Sequence, residues 1–485
     1  MDKKSIIYIG VPLLVVFILL GAVFLGFYLK SLSGNEGIFS INGQNAQPLK
    51  EPLVMSAGWS SAENETVAVD EALRMLNSKM EDKEVEFAIV YSESSYNNEN
   101  ILLDINSRLG GETKIYGWTS FKNSATNGGM QKLAILGFSD RVKAGVGGCS
   151  LDEVNYPGEN GSRDEIFISA RKAAILATQR ALDDAGKTAN DKPRLVLISG
   201  ATYFYPGTIE NPVEERFLDG IESVLGKDIP IIGGLAADTM ASGNEKVFVN
   251  DKVYGFGSVS VALLYTDVKI GVDANTPKIG YGFLGGFTPT TKKGVVTKAE
   301  GHLLYEIDGK PCSEVYDEWT NHALGDRIDT TEWVIDYTAL HPLAAKISED
   351  DKVPGYYNKL IHYFNNPQKG VCKVACEVKE GETLYLLEGT PSMFVNRGAL
   401  TAMFARAEGR LTADEIAGGY MVFCAGSFLA IPQESYPEIS NAINETLSGA
   451  PFIGGYEFGG FGSFIGAQEN VFSTQMASFL VFGKN

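Results

Sequence analysis

The chain has 485 residues, of which 44% are apolar, so its length accommodates two or three domains with hydrophobic cores. Its formal net charge of −19 argues against a nucleic-acid partner, which requires clustered Lys and Arg to replace the counterions of the phosphates. The same acidity argues against peripheral attachment to anionic lipid and mainly favours solubility.

An uncharged apolar segment lies close to the N-terminus. Residues 6–29 contain no charged side chain and are flanked by Lys3, Lys4 and Lys30. At about 1.5 Å per residue, a helix of this length spans roughly 36 Å, enough to cross a bilayer. A cleaved signal peptide is the alternative, but its apolar region would be only about 7–15 residues long. We therefore predict a retained transmembrane helix at residues 6–29.

The segments that flank this helix predict its topology. Residues 1–5 form a short tail with two lysines, whereas Lys30 alone follows the apolar segment closely. By the positive-inside rule, this asymmetry predicts a cytoplasmic N-terminus and an extracytoplasmic large domain, with the opposite topology as the alternative. Residues 30–52 are polar and contain several glycines, and we interpret them as a tether.

One sequence pattern occurs three times in the rest of the chain. An apolar run followed by two glycines stands at residues 229–238 (IPIIGGLAAD) and 450–460 (APFIGGYEFGG), with a looser copy at 113–120 (TKIYGWTS). The apolar run indicates a buried strand, and the glycines indicate a tight turn at its end. Each copy follows a predicted helix, strand and helix, and each precedes a glycine-rich loop and an apolar strand. The repeats predict an α/β fold of three related helix–strand–helix–strand–loop–strand units.

The predicted elements follow the same order in each unit. The first helices are expected at residues 67–80, 168–185 and 393–407, the strands after them at 87–91, 195–199 and 420–424, and the second helices at 100–109, 213–225 and 437–447. A segment rich in glycine, threonine and proline begins at residue 273 and marks the best boundary. We therefore predict two domains, residues 53–272 and residues 273–485.

The cysteines form an odd, sparse set, which is not typical of a disulfide framework. Cys372 and Cys376 lie in a segment that alternates like a strand. Four strand steps separate their Cα atoms by roughly 13 Å, too far for a bridge or a shared zinc ion. We expect both to be half-buried strand cysteines that are not linked to each other.

Several segments resemble one known family. Residues 294–319 (GVVTKAEGHLLYEIDGKPCSEVYDEW), 341–347 (HPLAAKI) and 379–389 (KEGETLYLLEG) resemble the C-terminal half of the FIST sensory domain. Residues 231–238 (IIGGLAAD) resemble the close of its N-terminal half. The resemblance extends over about residues 53–485, so it implies a two-half FIST-type domain behind the predicted membrane helix.

The resemblance also implies a function. FIST domains are input modules of signal transduction that are thought to bind small ligands such as amino acids, and some members bind haem and respond to nitric oxide. Members are often fused to kinase, cyclic-nucleotide or methyl-accepting output domains. This chain shows no such segment, so the resemblance implies a separate signalling output protein as its partner.

The three glycine-containing segments are the candidate ligand site. A loop at the carboxyl end of a strand, with small residues and exposed backbone N–H groups, suits a carboxylate or another anion. We predict that the ligand contacts equivalent positions of the three units, namely Thr119, Ser120, Gly233, Gly234, Asp238, Gly454 and Gly455. Asp238 would accept the ammonium group of an amino acid. The structural alternative is that the glycines permit tight turns and Asp238 caps a turn or helix.

The sequence shows neither a metal site nor a catalytic motif. No two of the four histidines have the spacing of metal ligands, and no nucleophile–base motif occurs. His322 follows Trp319 on a predicted helix and could face a haem; otherwise no cofactor is expected. We predict a membrane-anchored, non-enzymatic sensory protein for an amino acid or a similar polar metabolite. A haem-based nitric-oxide or gas sensor is the first alternative, and an uncharacterised enzyme is the second.

Overall fold

The computed structural model describes residues 51–484, apart from 204, 207, 209–210, 240–241, 267–278, 348–354, 366–369 and 465–468. The predicted tail (1–5), transmembrane helix (6–29) and residues 30–50 of the predicted tether lie outside the described residues, as does the predicted boundary between 272 and 273. Across the described part of the chain, no helix combines the length and apolar character that crossing a membrane requires. Pro52–Asn485 is one compact unit.

We call the described residues up to Thr266 the first half. Its strands are β1 (Met55–Ser60), β2 (Phe87–Glu93), β3 (Lys114–Ser120), β4 (Asn123–Ala125), β5 (Gly129–Gln131), β6 (Leu133–Phe138), β7 (Val142–Ser150), β8 (Leu195–Ala201), β9 (Ile231–Leu235), β10 (Val247–Val249), β11 (Lys252–Tyr254) and β12 (Ser258–Thr266). Its α-helices are α1 (Glu65–Asn77), α2 (Asn98–Arg108), α3 (Arg163–Asp184) and α4 (Glu214–Leu225), and short 3-10 turns occupy Leu151–Val154 and Gly158–Asn160.

The second half begins at Ile279. Its strands are β13 (Ile279–Leu284), β14 (Thr288–Glu300), β15 (Leu303–Ile307), β16 (Lys310–Pro311), β17 (Leu343–Lys346), β18 (Tyr356–Lys359), β19 (Ile361–Asn365), β20 (Val371–Val374), β21 (Thr383–Glu388), β22 (Ile416–Cys424), β23 (Phe452–Glu457), β24 (Gly460–Ser463), β25 (Asn470–Ser473) and β26 (Ala477–Gly483). Its α-helices are α5 (Cys312–Trp319), α6 (Ile335–Thr338), α7 (Pro391–Glu408), α8 (Ala425–Phe428) and α9 (Tyr436–Thr446), and 3-10 turns occupy Gly325–Asp329 and Gln433–Ser435.

Local sequence signals explain where the long helices begin. Ser162 and Glu165 form a capping box before α3, in which each side chain bonds to the backbone N–H of the other residue. Thr390 caps α7, and Pro391 occupies its first turn, where a helix does not need the missing N–H. These caps satisfy backbone donors that would otherwise lack partners within the helix.

Three six-stranded sheets each contain one parallel pair of strands. Their orders are β1-β6-β2-β3-β10-β11, β25-β24-β9-β8-β12-β7 and β13-β26-β22-β23-β4-β5. The parallel pairs are β2/β3, β8/β9 and β22/β23, and each is followed by an antiparallel closing strand, β6, β12 or β26. The α/β class and the three predicted units are therefore present.

The three units exchange hairpins in a cycle. β4 and β5 of the first unit extend the sheet of the third, β10 and β11 of the second extend the sheet of the first, and β24 and β25 of the third extend the sheet of the second. The sequence predicted only a loop at these places. Because each hairpin pairs with a neighbouring unit, the exchange ties the three units into one body.

The carboxyl ends of β3, β9 and β23 meet in a ring of backbone hydrogen bonds. These bonds run from Phe121 N–H to the Tyr456 carbonyl (2.9 Å), from Ala237 N–H to the Thr119 carbonyl (2.8 Å) and from Phe458 N–H to the Leu235 carbonyl (3.1 Å). The three donors occupy equivalent positions in the repeats, and so do the three acceptors. We call this meeting point the junction; the core beneath it includes Tyr91, Trp118 and Tyr420.

A disulfide bond stabilises the fourth sheet, β18-β17-β21-β14-β15-β20-β19, in which β16 pairs with β15. It joins Cys312 at the start of α5 to Cys372 on β20. The prediction that Cys372 is a half-buried free cysteine is therefore wrong, because the fold brings together two residues 60 positions apart in the sequence. Cys376 lies beyond the end of β20 and is buried and free, so no 372–376 bridge is present.

Candidate functional site

The predicted glycine turns are strand residues. Gly233 and Gly234 lie within β9, Gly454 and Gly455 lie within β23, and the pairs do not have positive φ angles. The prediction of tight turns is wrong because the glycines serve close packing inside the sheets. A Cβ atom on Gly233 would lie 1.8 Å from the Ile198 carbonyl oxygen. The strands therefore continue through the glycines.

The backbone of these glycines belongs to the sheet ladders. Gly233 and Gly234 lie opposite β8 on one side and β24 on the other, and Gly454 and Gly455 lie between β22 and β4. All four glycines are buried. Their N–H groups therefore do not form the open anion-binding loop that the sequence predicted, and their contact with a ligand stays a prediction.

Asp238, Thr119 and Ser120 bond within their own surroundings. The buried Asp238 carboxylate accepts bonds from the Ser242 N–H (2.9 and 3.1 Å), the Ser242 hydroxyl (2.9 Å) and the Asn244 N–H (3.0 Å). Thr119 Oγ1 accepts a bond from the Lys246 N–H at 3.0 Å. Ser120 Oγ bonds to the Asn123 side chain. These contacts favour the structural alternative for Asp238, whereas a ligand role for the three residues stays a prediction.

Sequence reasoning missed a buried group of ionisable and polar side chains near the junction. We call it the interior polar cluster. Its members are the buried residues Glu214, His362, Cys376, Arg397, Cys424 and Gln475, together with the half-buried Tyr203. Tyr203 follows β8, and Cys424 ends β22. Ligands of α/β proteins commonly bind at the carboxyl ends of such strands. The cluster joins the first half to the second.

Hydrogen bonds and longer-range electrostatic interactions link members of the interior polar cluster. Tyr203 interacts electrostatically with Cys424, Glu214 and Cys376, and Cys424 interacts with Arg397. Arg397 Nη1 donates to the Gln475 carbonyl at 2.8 Å. The N–H of the preceding residue, Thr474, bonds to the Cys376 thiol.

Tyr203 and His362 form a contact of the cluster in which the protonation state of each side chain can be assigned. The Tyr203 hydroxyl lies 2.7 Å from His362 Nε2. Burial raises the pKa of Tyr203 well above its ordinary value. Burial, and then the charge of Lys373, lowers the pKa of His362 to about 3. The imidazole is therefore neutral at pH 7, and the tyrosine hydroxyl donates to its Nε2.

Two adjacent carboxyls at the start of α4 have opposite protonation preferences. Burial and the neighbouring Glu215 raise the pKa of Glu214 to about 8. Burial also acts to raise the pKa of Glu215, but His302 and the Glu377 N–H outweigh it and lower that pKa to about 2. The ring nitrogen Nε2 of His302 lies 3.6 Å from Glu215 Oε2. At neutral pH, Glu214 is mainly protonated and Glu215 is ionised.

Several buried polar atoms around the cluster have no hydrogen-bond partner among the described residues. They are Thr202 Oγ1, Glu214 Oε2, Asn358 Oδ1, Arg397 Nε and Nη2, Thr474 Oγ1 and Gln475 Oε1. Buried polar atoms in folded proteins are nearly always bonded, since leaving one without a partner costs about 1–3 kcal/mol. These atoms mark a candidate binding site, where a ligand or ordered water supplies the missing partners.

A cavity borders the cluster between α4 and the second half. Its volume is about 260 Å³, and its lining includes Glu215, Arg216, Lys359, Cys376 and Glu377. Arg216 Nη2 spans the two halves by bonding to Glu377 Oε1 at 2.8 Å. Because Cys376 belongs to both, the cavity reaches the interior polar cluster. A cavity with charges of both signs suits a small polar ligand.

The histidine that the sequence offered as a haem ligand lies at the surface. The His322 side chain is 76% exposed, and its Nδ1 lies 2.6 Å from Asp317 Oδ2. His341 stacks on Tyr337 with ring centroids 4.3 Å apart. His322 therefore does not fit an axial ligand in an apolar pocket, whereas haem binding by the chain stays a prediction. Within the described residues, no group of three or more His, Cys, Asp or Glu could hold a metal ion.

Comparison with solved structures gives distant similarity. A cyanuric acid hydrolase from A. caulinodans is 8% identical with a TM-score of 0.33, covering 89% of this chain and 99% of that chain. A second cyanuric acid hydrolase is 8% identical with a TM-score of 0.35, covering 90% and 100%. The 3-oxoacyl-[acyl-carrier-protein] synthase III of Aquifex aeolicus VF5 is 9% identical with a TM-score of 0.19, covering 44% and 99%. TM-scores this low carry no argument about the activity of this chain.

Comparison with protein families is more informative. No curated protein matches the chain. The FIST N domain matches residues 86–310, and the FIST C domain matches residues 313–463. FIST domains are sensory domains of signal transduction. The two matches together extend over most of the chain, which therefore belongs to the FIST family.

Proposed function

We propose that this chain senses a small polar metabolite, with an amino acid as the leading candidate, and that the ligand binds at the interior polar cluster. The observation that carries the proposal is the group of buried donors and acceptors that lack hydrogen-bond partners among the described residues where the two halves meet. A ligand that bonds to these atoms removes the free-energy penalty of their burial.

Charges of both signs support a zwitterionic ligand. Arg397 supplies a buried guanidinium, and Glu214 supplies a buried carboxyl whose Oε2 has no hydrogen-bond partner among the described residues. A carboxylate favours the first group and an ammonium the second. An ammonium beside Glu214 also favours the ionised carboxyl. Ligand binding at neutral pH therefore releases a proton from Glu214.

Anchoring and localisation are further parts of the proposal. Residues 6–29 hold the protein in the membrane, and the FIST domain lies on the extracytoplasmic side. The Cys312–Cys372 disulfide supports this side, since disulfides persist mainly in oxidising compartments. The signal passes to a separate output protein, and nucleic acid is not a partner.

The test is a thermal-shift screen of the full-length protein in detergent with each of the twenty standard L-amino acids. A ligand that binds the native state raises the melting temperature by an amount that grows with its concentration. Calorimetry in two buffers of different ionisation enthalpy then measures the proton released. We expect one chemical group of amino acids to raise the melting temperature, with proton release that is absent in Glu214→Gln.

The matched control is Glu408→Gln. Glu408 is a half-buried carboxyl on α7 that accepts a bond from the Tyr281 N–H at 3.2 Å, and it lies outside the cluster. Its substitution should leave binding and proton release unchanged. If no amino acid raises the melting temperature, the ligand class is wrong; a Soret band after haem addition would then favour the gas-sensor alternative.

A further inference from the structure

Arg397 is a fully buried cation on α7. Its side chain is 0% exposed, and no carboxylate among the described residues forms an ion pair with it. A buried charge without a counter-ion is strongly unfavourable unless other groups stabilise it. The surroundings of Arg397 therefore require an explanation beyond ordinary packing.

Within the described part of the chain, the guanidinium forms hydrogen bonds through only one of its three nitrogens. Nη1 donates to Ser427 Oγ at 2.7 Å and to the Gln475 carbonyl at 2.8 Å. Nε and Nη2 have no partner within the described chain. These two nitrogens share one edge of the planar group, so their N–H bonds run parallel to each other.

The same edge binds a carboxylate elsewhere in this protein. Arg108 donates from Nε to Asp104 Oδ1 at 2.7 Å and from Nη2 to Asp104 Oδ2 at 3.1 Å. This two-bond geometry is the strongest that arginine makes with a carboxylate. In Arg397 the equivalent edge lies in the protein interior without a hydrogen-bond partner among the described residues.

Aromatic rings hold the guanidinium of Arg397 in place. Its central carbon lies 4.1 Å from the ring centroid of Phe394, 4.9 Å from that of Phe287 and 5.3 Å from that of Phe423. Gly286 lies beside the edge, and a Cβ atom there would be 3.2 Å from Nε. Burial lowers the pKa of Arg397 to about 9, so the group stays charged at pH 7.

Two further acceptors belong to residues that surround the Gln475 carbonyl to which Arg397 Nη1 donates. Gln475 Oε1 and Asn358 Oδ1 are buried without partners among the described residues, and Asn358 Nδ2 donates to the same Gln475 carbonyl as Arg397, at 3.4 Å. A ligand whose carboxylate lies on Arg397 could donate an adjacent N–H or O–H to these oxygens. The charged edge of Arg397 and these acceptor oxygens together suit an acid that carries an N–H or O–H donor close to its carboxylate.

We propose that Arg397 binds the carboxylate of the ligand through its Nε and Nη2 edge, with Gln475 and Asn358 as acceptors beside it. This inference rests on the proposed ligand-binding function. It adds that the carboxylate end of the ligand is the end bound by the second half of the protein. Arg397 is then a binding residue whose charge is retained at a cost to the stability of the free protein.

The test compares full-length wild type, Arg397→Met and Arg397→Lys, with Arg406→Met as the matched control. Arg406 lies on the same helix but bonds to the Leu411 carbonyl at 3.0 Å and the Thr446 carbonyl at 3.1 Å. The first comparison is between sodium acetate and sodium chloride at equal ionic strength. The second is between any amino acid found to bind and the amine that has the same carbon skeleton but lacks the carboxylate.

Acetate should raise the melting temperature of wild type and Arg406→Met above the chloride value, but not that of Arg397→Met. Arg397→Lys should weaken binding of the amino acid at least about tenfold, because it keeps the charge and loses the paired N–H bonds. The amine should bind wild type at least about tenfold more weakly than the amino acid does.

The outcomes separate this inference from the proposed function. An amino acid that binds Arg397→Lys as tightly as wild type overturns the role of Arg397 and leaves the function intact. An acetate response that depends on Arg397, without a response to any amino acid, supports the carboxylate site and overturns the ligand class. If Arg397→Met does not fold, the acetate and amine comparisons on wild type and Arg397→Lys still decide the question.

Discussion

Tyr203, just after β8, bonds through its hydroxyl to Nε2 of His362 on β19, at a distance of 2.7 Å. The bond joins the two halves where the interior polar cluster lies. Trp333 stacks on a face of the imidazole, with ring centroids 5.1 Å apart. The histidine is thus held by a hydrogen bond to its ring nitrogen and by stacking on its ring, and burial keeps the imidazole neutral at pH 7.

Tyr203→Phe should lower the free energy of unfolding by about 1–3 kcal/mol, because it leaves the buried His362 Nε2 without this donor. Urea unfolding followed by fluorescence measures the change. Tyr265→Phe is the control, since the buried Tyr265 hydroxyl has no partner within the described chain. Equal losses in the two variants would show that the Tyr203–His362 bond contributes nothing.

Gly455→Ala should destabilise the protein by about 1–3 kcal/mol or more, because the site has no room for a methyl group. A Cβ atom there would lie 2.1 Å from Glu457 Oε1 and 2.6 Å from the Tyr91 ring. Gly255→Ala is the control, because its Cβ would contact nothing within 4 Å. Thermal melting compares the two, and a Gly455→Ala protein as stable as its control would contradict the packing role.

Asp238→Asn should lower stability by about 1–3 kcal/mol, since one oxygen and the charge that accept bonds from Ser242 and Asn244 are lost. Protease cleavage in the segment after β9 should also become faster. If stability is unchanged while the affinity for an amino acid falls, Asp238 binds ligand as the sequence predicted.

Local patterns predicted the elements but not their exchange. The helix predicted at residues 168–185 is α3 (Arg163–Asp184), and the strand predicted at 420–424 is the end of β22. Hydrophobic periodicity and helix caps depend on residues that are close together in the sequence, so they can be recognised from the sequence alone. The swapped hairpins depend on contacts between units, which no local pattern records.

The candidate site was hidden for a similar reason. Arg397 stands in a helix where arginine usually indicates an exposed face, and only the packing of three phenylalanines shows that it is buried. The glycine repeat did indicate the junction near the cluster. The glycines of the repeat serve close packing, however, and the polar side chains of the interior polar cluster belong to neighbouring elements.

The Cys312–Cys372 disulfide should stabilise the protein by about 4 kcal/mol, which is the loop-entropy expectation for its separation of 60 residues. Chemical unfolding of wild type and the Cys312→Ser/Cys372→Ser double variant measures the difference. Peptide mapping without reductant should recover a 312–372 peptide, whereas Cys149→Ser should leave that peptide unchanged. Recovery of a 372–376 peptide instead would contradict the assignment.

The last prediction concerns pH. Burial raises the pKa of Glu214 to about 8, and those of Glu245 and Glu408 to about 7, from 4.5. Above pH 4.5 these carboxyls lose protons in the unfolded state but keep them in the folded state. The folded state then binds more protons than the unfolded state, so stability falls as pH rises. The opposite contribution of His362, whose folded pKa is about 3, acts only below its unfolded value of 6.5.

Between pH 6.5 and 8, the contribution of these carboxyls to the pH dependence of stability is therefore separate from that of His362. Each carboxyl that is still protonated only in the folded state makes stability fall by about 1.4 kcal/mol per pH unit. Glu214→Gln should reduce the slope of unfolding free energy against pH by nearly that amount. Glu153→Gln is the control, because hydrogen bonding to Arg180 lowers the pKa of Glu153 and its titration ends below this window. An unchanged slope in Glu214→Gln would mean that Glu214 is already ionised in the folded protein, and the proton release expected on ligand binding would then have to come from another group.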